Sequence, residues 1–262
     1  MKSIFFILVY VLPSALLAQS NLTANEIVDR AQTAIKVKGV QGVSTMIIID
    51  DKGRERVRKI AQVTKLYDNG DTEKRLIRFL EPADVKGTGL LTFDYKDKDD
   101  DLWLYMPALR KTRRIVSTEK SKNFMGSEFT YADMTPPAMS DFTFNKLDNE
   151  TIDGVECYQI EWIPANEDIA IENGFGRRIT FVGTDDFVIR KSVYYDLDGE
   201  LEKELIIHGI QELDPENDRY RASEMEMINH QNGRRSVLKT EQIEFNPNIS
   251  DDYFTTRYLE RE

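Results

Sequence analysis

The feature that most constrains the fold is a series of short segments in which apolar and polar side chains alternate. Such alternation is typical of β-strands with one buried face. Tight turns are indicated between the segments, because Gly, Asn and Asp accept the positive φ angles that two-residue hairpin turns need. The turn dipeptides are Asn69-Gly70, Asp153-Gly154, Asp198-Gly199 and Asn232-Gly233. This order predicts one continuous antiparallel meander.

The predicted strands lie at residues 43–49, 54–67, 74–80, 155–163, 178–181, 188–196, 201–210, 221–230 and 234–245. Two further aromatic strands flank an acidic turn at residues 97–101. The second aromatic strand is apolar on both faces, which indicates that the centre of the sheet is covered on both sides or borders an apolar cavity. Residues 120–140 contain Pro136-Pro137 and are predicted to form a loop with a short helix.

One helix is predicted near the start of the chain, at residues 23–36. Thr23 and Glu26 have the spacing of a capping box, in which each side chain accepts a hydrogen bond from the backbone of the other residue. Gly39 is expected to end the helix. Apolar residues recur at helical spacing at Ile27, Val28, Ala31, Ala34 and Ile35. This apolar stripe needs a sheet to pack against.

The first 18 residues have the composition of an export signal. Lys2 supplies a positive end, residues 4–12 an apolar run, and Ala18 a small residue for cleavage before Gln19. The apolar run is shorter than the roughly 20 residues of a membrane span, and no Cys follows Ala18 for lipid attachment. We predict a signal peptide at residues 1–18 and a single exported, soluble domain at residues 19–262. An uncleaved membrane anchor is the alternative.

Composition and motifs exclude several classes of function. The net charge of −11 argues against a nucleic-acid partner, because phosphate binding requires a basic surface. His208 and His230 lack metal-ligand spacing, and Cys157 lies in a strand-like run as a buried, inert thiol. No nucleophile elbow or phosphate loop occurs. The acidic turn lacks EF-hand spacing and reads as a solvated hairpin tip. We therefore expect no catalytic residue, no metal and no cofactor.

Two local features have both a structural and a functional interpretation. The basic cluster, Arg110, Lys111, Arg113 and Arg114, is either a solvated edge strand that resists aggregation or a surface for an anionic head group or acidic partner. The Phe124-Met125 pair lies in a loop that either packs into the core or contacts acyl chains, to which the flexible Met side chain adapts well. The two interpretations of the loop are compatible, because the lid of a carrier covers its own cavity when the cavity is empty.

Several separated blocks resemble the outer-membrane lipoprotein-sorting family, the LolA-like proteins. The matching blocks are Pro82, Lys86-Gly87-Thr88-Gly89, Leu102-Trp103-Leu104-Tyr105-Met106-Pro107, Arg113-Arg114, Phe124-Met125-Gly126-Ser127 and Asp133. A weaker match covers residues 246–259. The resemblance implies a mainly β fold with helices (α+β), in which a curved antiparallel sheet forms an incomplete barrel with helices across its concave face.

The resemblance also implies a non-enzymatic periplasmic carrier that binds acyl chains and delivers them towards the outer membrane. Its cargo is an acylated lipoprotein or a free lipid, and its partners are an inner-membrane exporter and an outer-membrane receptor; a monomer is expected. A lipid hydrolase and an accessory that docks to a lipid-exporting pump remain alternatives. The candidate lipid-binding residues are Phe93, Tyr95, Trp103, Leu104, Tyr105, Met106, Phe124 and Met125, and the basic cluster is the candidate docking site.

Overall fold

The computed structural model describes residues 22–96 and 98–261. The predicted signal peptide and Asp97 of the acidic turn lie outside the described residues. The strands are β1 Gly39–Ile49, β2 Glu55–Tyr67, β3 Thr72–Glu81, β4 Gly89–Tyr95, β5 Asp101–Met106, β6 Lys111–Arg114, β7 Phe142–Lys146, β8 Glu150–Ile152, β9 Val155–Pro164, β10 Arg177–Gly183, β11 Ile189–Tyr195, β12 Leu201–Asp214, β13 Arg219–Asn229 and β14 Arg235–Phe245. The helices are α1 Ala24–Ala34, α2 Glu167–Asn173 and α3 Thr256–Leu259.

The strands form one antiparallel sheet with the order β6-β5-β4-β3-β2-β1-β14-β13-β12-β11-β10-β9-β7, and β8 pairs with β9. The prediction of one continuous meander was wrong in one respect. After β6 the chain leaves the sheet and enters it again at the opposite edge with β7, and the first and last strands then pair at the centre. The sheet curls without closing and is an incomplete barrel, as expected.

Helix α1 begins as the sequence predicts. The side chain of Thr23 accepts a hydrogen bond from the backbone amide of Glu26 at 3.3 Å, and the Thr23 amide donates to the Glu26 carboxylate at 2.8 Å. Burial of Ile27, Val28 and Ala31 against the concave face holds the helix on the sheet. The helix ends at Ala34, before the predicted end, and Gly39 is already the first residue of β1.

Both faces of the sheet are covered in its first half. On the concave face an apolar cluster is shared by β1 to β5 and the segment that follows β6; it includes Ile60, Phe79, Leu104 and Phe124. On the convex face the C-terminal segment packs on β3 to β5 through Phe254 and Leu259. The predicted two-sided cover is therefore confirmed. Within the described residues, no helix has the length and apolarity to cross a membrane.

The segment between β6 and β7 contains four single 3-10 turns, Ser117–Glu119, Phe124–Gly126, Ala132–Met134 and Met139–Asp141. The loop prediction for residues 120–140 is confirmed, and the predicted short helix is replaced by these turns. Cys157 is buried with no exposed surface, and burial raises the pKa of its thiol. This agrees with the predicted inert cysteine.

Candidate functional site

One loop, residues 123–130, crosses the concave face and is named here the closing loop. A β-bridge between Asn123 and Thr130 closes it at its base. Phe124 points into the apolar cluster, where its ring centroid lies 5.7 Å from that of Phe79 and 5.6 Å from that of Tyr131. Met125 packs against the same cluster. The closing loop thus fills the concave interior with its own apolar side chains.

The backbone of the closing loop reverses sharply at its tip. Met125 has a φ of 51° and Gly126 a φ of 78°, so two successive residues adopt the left-handed conformation. Glycine adopts it freely, whereas for Met it costs roughly 1–2 kcal/mol. The surrounding contacts must offset this strain.

Two guanidinium groups of the sheet hold the main chain of this tip. Arg58 on β2 donates a hydrogen bond to the carbonyl of Met125, and its guanidinium lies 5.6 Å from the centroid of the Phe79 ring. Arg234, in the turn before β14, donates to the carbonyl of Gly126 at 2.9 Å. Because both bonds go to backbone carbonyls, they hold the loop in place without adding apolar contact.

A buried carboxylate anchors the far side of the closing loop. Glu128 has no exposed surface, and its oxygens lie 3.1 Å from Asn229 Nδ2 and 3.1 Å from Arg234 Nε. Its backbone amide donates to the hydroxyl of Ser236 at 2.9 Å. The β13–β14 hairpin therefore supplies polar partners for a group whose burial would otherwise be strongly unfavourable.

The predicted lipid-binding residues divide between the two faces. Leu104, Met106, Phe124 and Met125 meet in the concave cluster and stay candidates for cargo contact. Phe93, Trp103 and Tyr105 instead pack on the convex face beneath the C-terminal segment. Tyr95 lies at the end of β4, with its hydroxyl 3.4 Å from Asp101. Because side chains alternate along a strand, consecutive residues of β5 cannot line one cavity; the predicted opposition of Trp103 and Tyr105 to Leu104 and Met106 is confirmed.

The predicted basic cluster is partly occupied by ion pairs. Arg113 lies 2.7 Å from Glu119, and Arg114 pairs with Asp101. Arg110 is not part of β6; it follows the 3-10 turn Pro107–Leu109 with a φ of 47°. Arg110 and Lys111 are exposed, and no carboxylate in residues 22–96 or 98–261 pairs with either. The free charge of the cluster therefore lies at its N-terminal half.

An open cleft of about 750 Å³ lies between α1, the β4–β5 turn and residues 132–141. Its walls are charged and polar, so it differs from the apolar cavity that the resemblance implies. Burial, and then the neighbouring Asp100 and Glu73, raise the pKa of Asp94 in this cleft to about 7, although Lys36 opposes the rise. Apolar cargo would gain little in such surroundings.

The raised pKa of Asp94 predicts how stability depends on pH. Between the ordinary aspartate value of 3.8 and about 7, the folded protein binds more protons than the unfolded chain, so the free energy of unfolding falls as pH rises. Asp94→Asn should therefore be more stable than the wild type at about pH 8 and similar at about pH 4. Urea unfolding at both pH values measures this, with exposed Asp148→Asn as control. Equal unfolding free energies at the higher pH would contradict the prediction.

Comparisons with known proteins agree with this architecture. A family model described only as an uncharacterized-protein-like family matches residues 71–261. No curated protein matches the chain. Among solved structures, the outer membrane lipoprotein-sorting protein domain from Vibrio parahaemolyticus is similar with a TM-score of 0.81 and 29% identity, over 90% of this chain and 97% of that one.

Two further structures have the same fold. A DUF1329 family protein from Desulfovibrio piger has a TM-score of 0.82 and 25% identity, covering 90% of this chain and 97% of its own. A LolA superfamily protein from Nitrosomonas europaea has a TM-score of 0.69 and 19% identity, covering 90% and 99%. Because the family model covers most of its length, the chain belongs to that uncharacterized-protein-like family, and its incomplete barrel has the LolA-like fold of the lipoprotein-sorting domain and the LolA superfamily protein.

Proposed function

We propose that the chain is a periplasmic carrier that holds the acyl chains of a lipoprotein or a lipid between the sheet and the closing loop, and delivers them towards the outer membrane. The observation that carries the proposal is the closing loop itself. Phe124 and Met125 fill the apolar interior, while Arg58 and Arg234 hold the main chain of the loop by hydrogen bonds. The similar structure named as a lipoprotein-sorting protein domain supports the class of cargo.

The energetics favour an exchange of loop for cargo. Each methylene group sheltered from water contributes roughly 0.8 kcal/mol, so a 16-carbon chain gains on the order of 10 kcal/mol before ordering costs. That gain offsets the loss of Phe124 and Met125 from the concave cluster. Lipoproteins and free lipids present the same acyl chemistry, so the concave interior suits both.

Opening requires no change in the sheet. The closing loop is not a strand of the sheet, and β1 to β5 keep their hydrogen bonds when it moves away. Its displacement would uncover Ile60, Phe79 and Leu104 as a continuous apolar surface. Binding and release then follow from one local motion, and no catalytic group is needed.

Mass spectrometry of organic extracts from the purified protein tests the proposal. We expect co-purifying molecules with long acyl chains, and we expect fewer of them from Phe124→Asp if that variant folds. A lipid-free extract, together with tight binding to an envelope lipid-exporting pump, would favour the accessory function instead.

Export to the periplasm is part of the proposal. The names of the relatives and the predicted cleavage before Gln19 support it. N-terminal sequencing of the exported protein should find a first residue near Gln19. Recovery of Met1, or of the protein in the membrane fraction alone, would contradict the prediction.

The basic cluster is proposed to dock an anionic head group or an acidic partner. Replacing Arg110, Lys111, Arg113 and Arg114 with Gln should leave the melting temperature close to that of the wild type, since exposed charges usually contribute under about 1 kcal/mol each. Delivery of cargo should fall at low salt and differ less at high salt, because ions screen exposed charges. A transfer assay between vesicles at two salt concentrations measures this.

We expect Arg110 and Lys111 to make the larger contribution. Arg110 and Lys111 have no ion-pair partner among the described residues, so their double Gln variant should reproduce most of the loss. Lys52→Gln with Arg257→Gln removes the same charge from exposed positions elsewhere and is the control. Unchanged delivery by the folded quadruple variant would assign the cluster to edge-strand solubility.

A further inference from the structure

An arginine lies inside the concave face without a carboxylate partner. The guanidinium of Arg178 on β10 lies 3.7 Å from the centroid of the Trp162 ring and 5.5 Å and 5.7 Å from those of Phe175 and Tyr194. All three rings are buried. The Nε atom of Arg178 is enclosed without a hydrogen-bond acceptor. In the described part of the chain, no carboxylate forms an ion pair with this side chain.

Two other arginines have an acidic neighbour that Arg178 lacks. Arg221 is half-buried, and the nearby Glu73 carboxylate partly compensates its charge. Arg177, adjacent to Arg178 but on the convex face, lies 3.7 Å from Glu161. A buried cation without an anion is unfavourable, and contact with aromatic rings offsets only part of the cost. Arg178 is half-buried among these rings, and buried Arg58 already donates to the Met125 carbonyl, so Arg178 is the guanidinium on this face that an incoming anion could reach and compensate.

A second cation lies on the same face two strands away. Arg178 is opposite Tyr194 on β11, and Tyr194 is opposite Lys203 on β12. The spacing of neighbouring strands places the backbones of Arg178 and Lys203 about 10 Å apart. Lys203 is buried on the concave side, with its ammonium 3.4 Å from Glu202. The two cations lie on either side of Tyr194 and, with it, form a strip in this largely apolar layer.

The closing loop borders this strip. Phe129 belongs to the same buried cluster as Trp162, Phe175 and Tyr194. Movement of the loop would therefore uncover the layer that contains Arg178, together with the apolar surface for acyl chains. A molecule with an anionic group at one end and a hydrocarbon chain at the other fits both surfaces.

We propose that Arg178, assisted by Lys203, binds the carboxylate or phosphate of an anionic lipid whose acyl chain occupies the concave interior. The inference rests on the proposed carrier function and deepens it, because it selects acidic over neutral lipids. Arg178 supplies charge-assisted hydrogen bonds to the anion, and the aromatic rings hold its side chain in place.

The test compares two probes that differ in charge. Radiolabelled palmitate and hexadecanol have the same chain length, and the wild type should bind palmitate about tenfold more tightly or better. Arg178→Gln should remove this preference, because it should weaken the binding of palmitate and leave the binding of hexadecanol unchanged. Arg177→Gln, which alters the opposite face of the same strand, should keep it. Circular dichroism checks that each variant is folded. If Arg178→Gln does not fold, Lys203→Gln replaces it in the test, with a smaller expected loss of palmitate affinity.

The outcomes separate the two proposals. If neither probe binds the wild type, the carrier function itself is wrong. If the wild type binds both probes equally, or a folded Arg178→Gln variant weakens both equally, the carrier stands and the anion site is overturned. If acetate displaced palmitate at concentrations similar to that of palmitate, Arg178 would be a site for small free anions, and its assignment to a lipid would be overturned.

Discussion

Leu104→Asp is expected to unfold the protein. Leu104 is 2% exposed in the middle of β5 and packs in the concave cluster. A carboxylate there costs several kcal/mol of desolvation and also loses the packing of the leucine. Because domains of this kind are stable by only about 5–15 kcal/mol, the loss removes most of the stability. Thermal unfolding followed by circular dichroism measures the effect.

The surroundings of Leu104 should do little to stabilise the new carboxylate. Arg113 is opposite Leu104 in the register, but its guanidinium is already 2.7 Å from Glu119. Leu109→Asp is the matched control, because Leu109 is 63% exposed and the same substitution should change stability little. If Leu104→Asp melted like the control, the concave side of β5 would not be a buried surface.

The local structure was predictable because its signals are local. Alternating residues gave the strands, and Asn69-Gly70 occupies the predicted turn between β2 and β3. Helix α2 was missed although Asn166 caps its start and Gly174 ends it with a φ of 77°. These two residues were an available signal, but the helix has only seven residues and carries no long apolar stripe.

Long-range pairing was not predictable from the same signals. The pairing of β1 with β14 joins residues about 200 positions apart, such as Val40 and Phe245. No turn dipeptide marks such a contact, and hairpin signals alone favour a meander that continues through residues 120–140. The curled, open sheet came from the family resemblance, which carries information about the whole chain.

For the candidate site, too, residue types were predictable from the sequence and long-range contacts were not. The sequence indicated Phe124 and Met125 because their residue types suit acyl chains. It gave no sign of Glu128, since a glutamate in a polar loop is ordinarily exposed and its partners Asn229 and Arg234 are about 100 residues away. It also assigned Trp103 and Tyr105 to the same site as Leu104, although alternation along β5 places them on opposite faces.

The second large effect is expected for Glu128→Ala. The variant leaves the enclosed Arg234 Nε and the buried Asn229 Nδ2 without their carboxylate, and each buried donor left without an acceptor costs roughly 1–3 kcal/mol. The loss of stability should be greatest in the closing loop, because Glu128 joins this loop to the β13–β14 hairpin. Amide hydrogen exchange should therefore accelerate at residues 123–130, whereas the exchange rates in β1 to β5 should change much less.

The controls separate a loosened loop from a general loss of stability. Glu119→Ala removes a carboxylate from the same segment, but its partners Arg113 and Lys122 can turn towards solvent, so protection of the closing loop should change little. In the Glu128→Ala background, a further Arg234→Ala change should cost less than it does alone, because the pair is already broken. A loop freed in this way should take up acyl chains faster. Unaltered exchange at residues 123–130 would show that the buried carboxylate does not hold the loop closed, and the gate of the carrier would have to lie elsewhere.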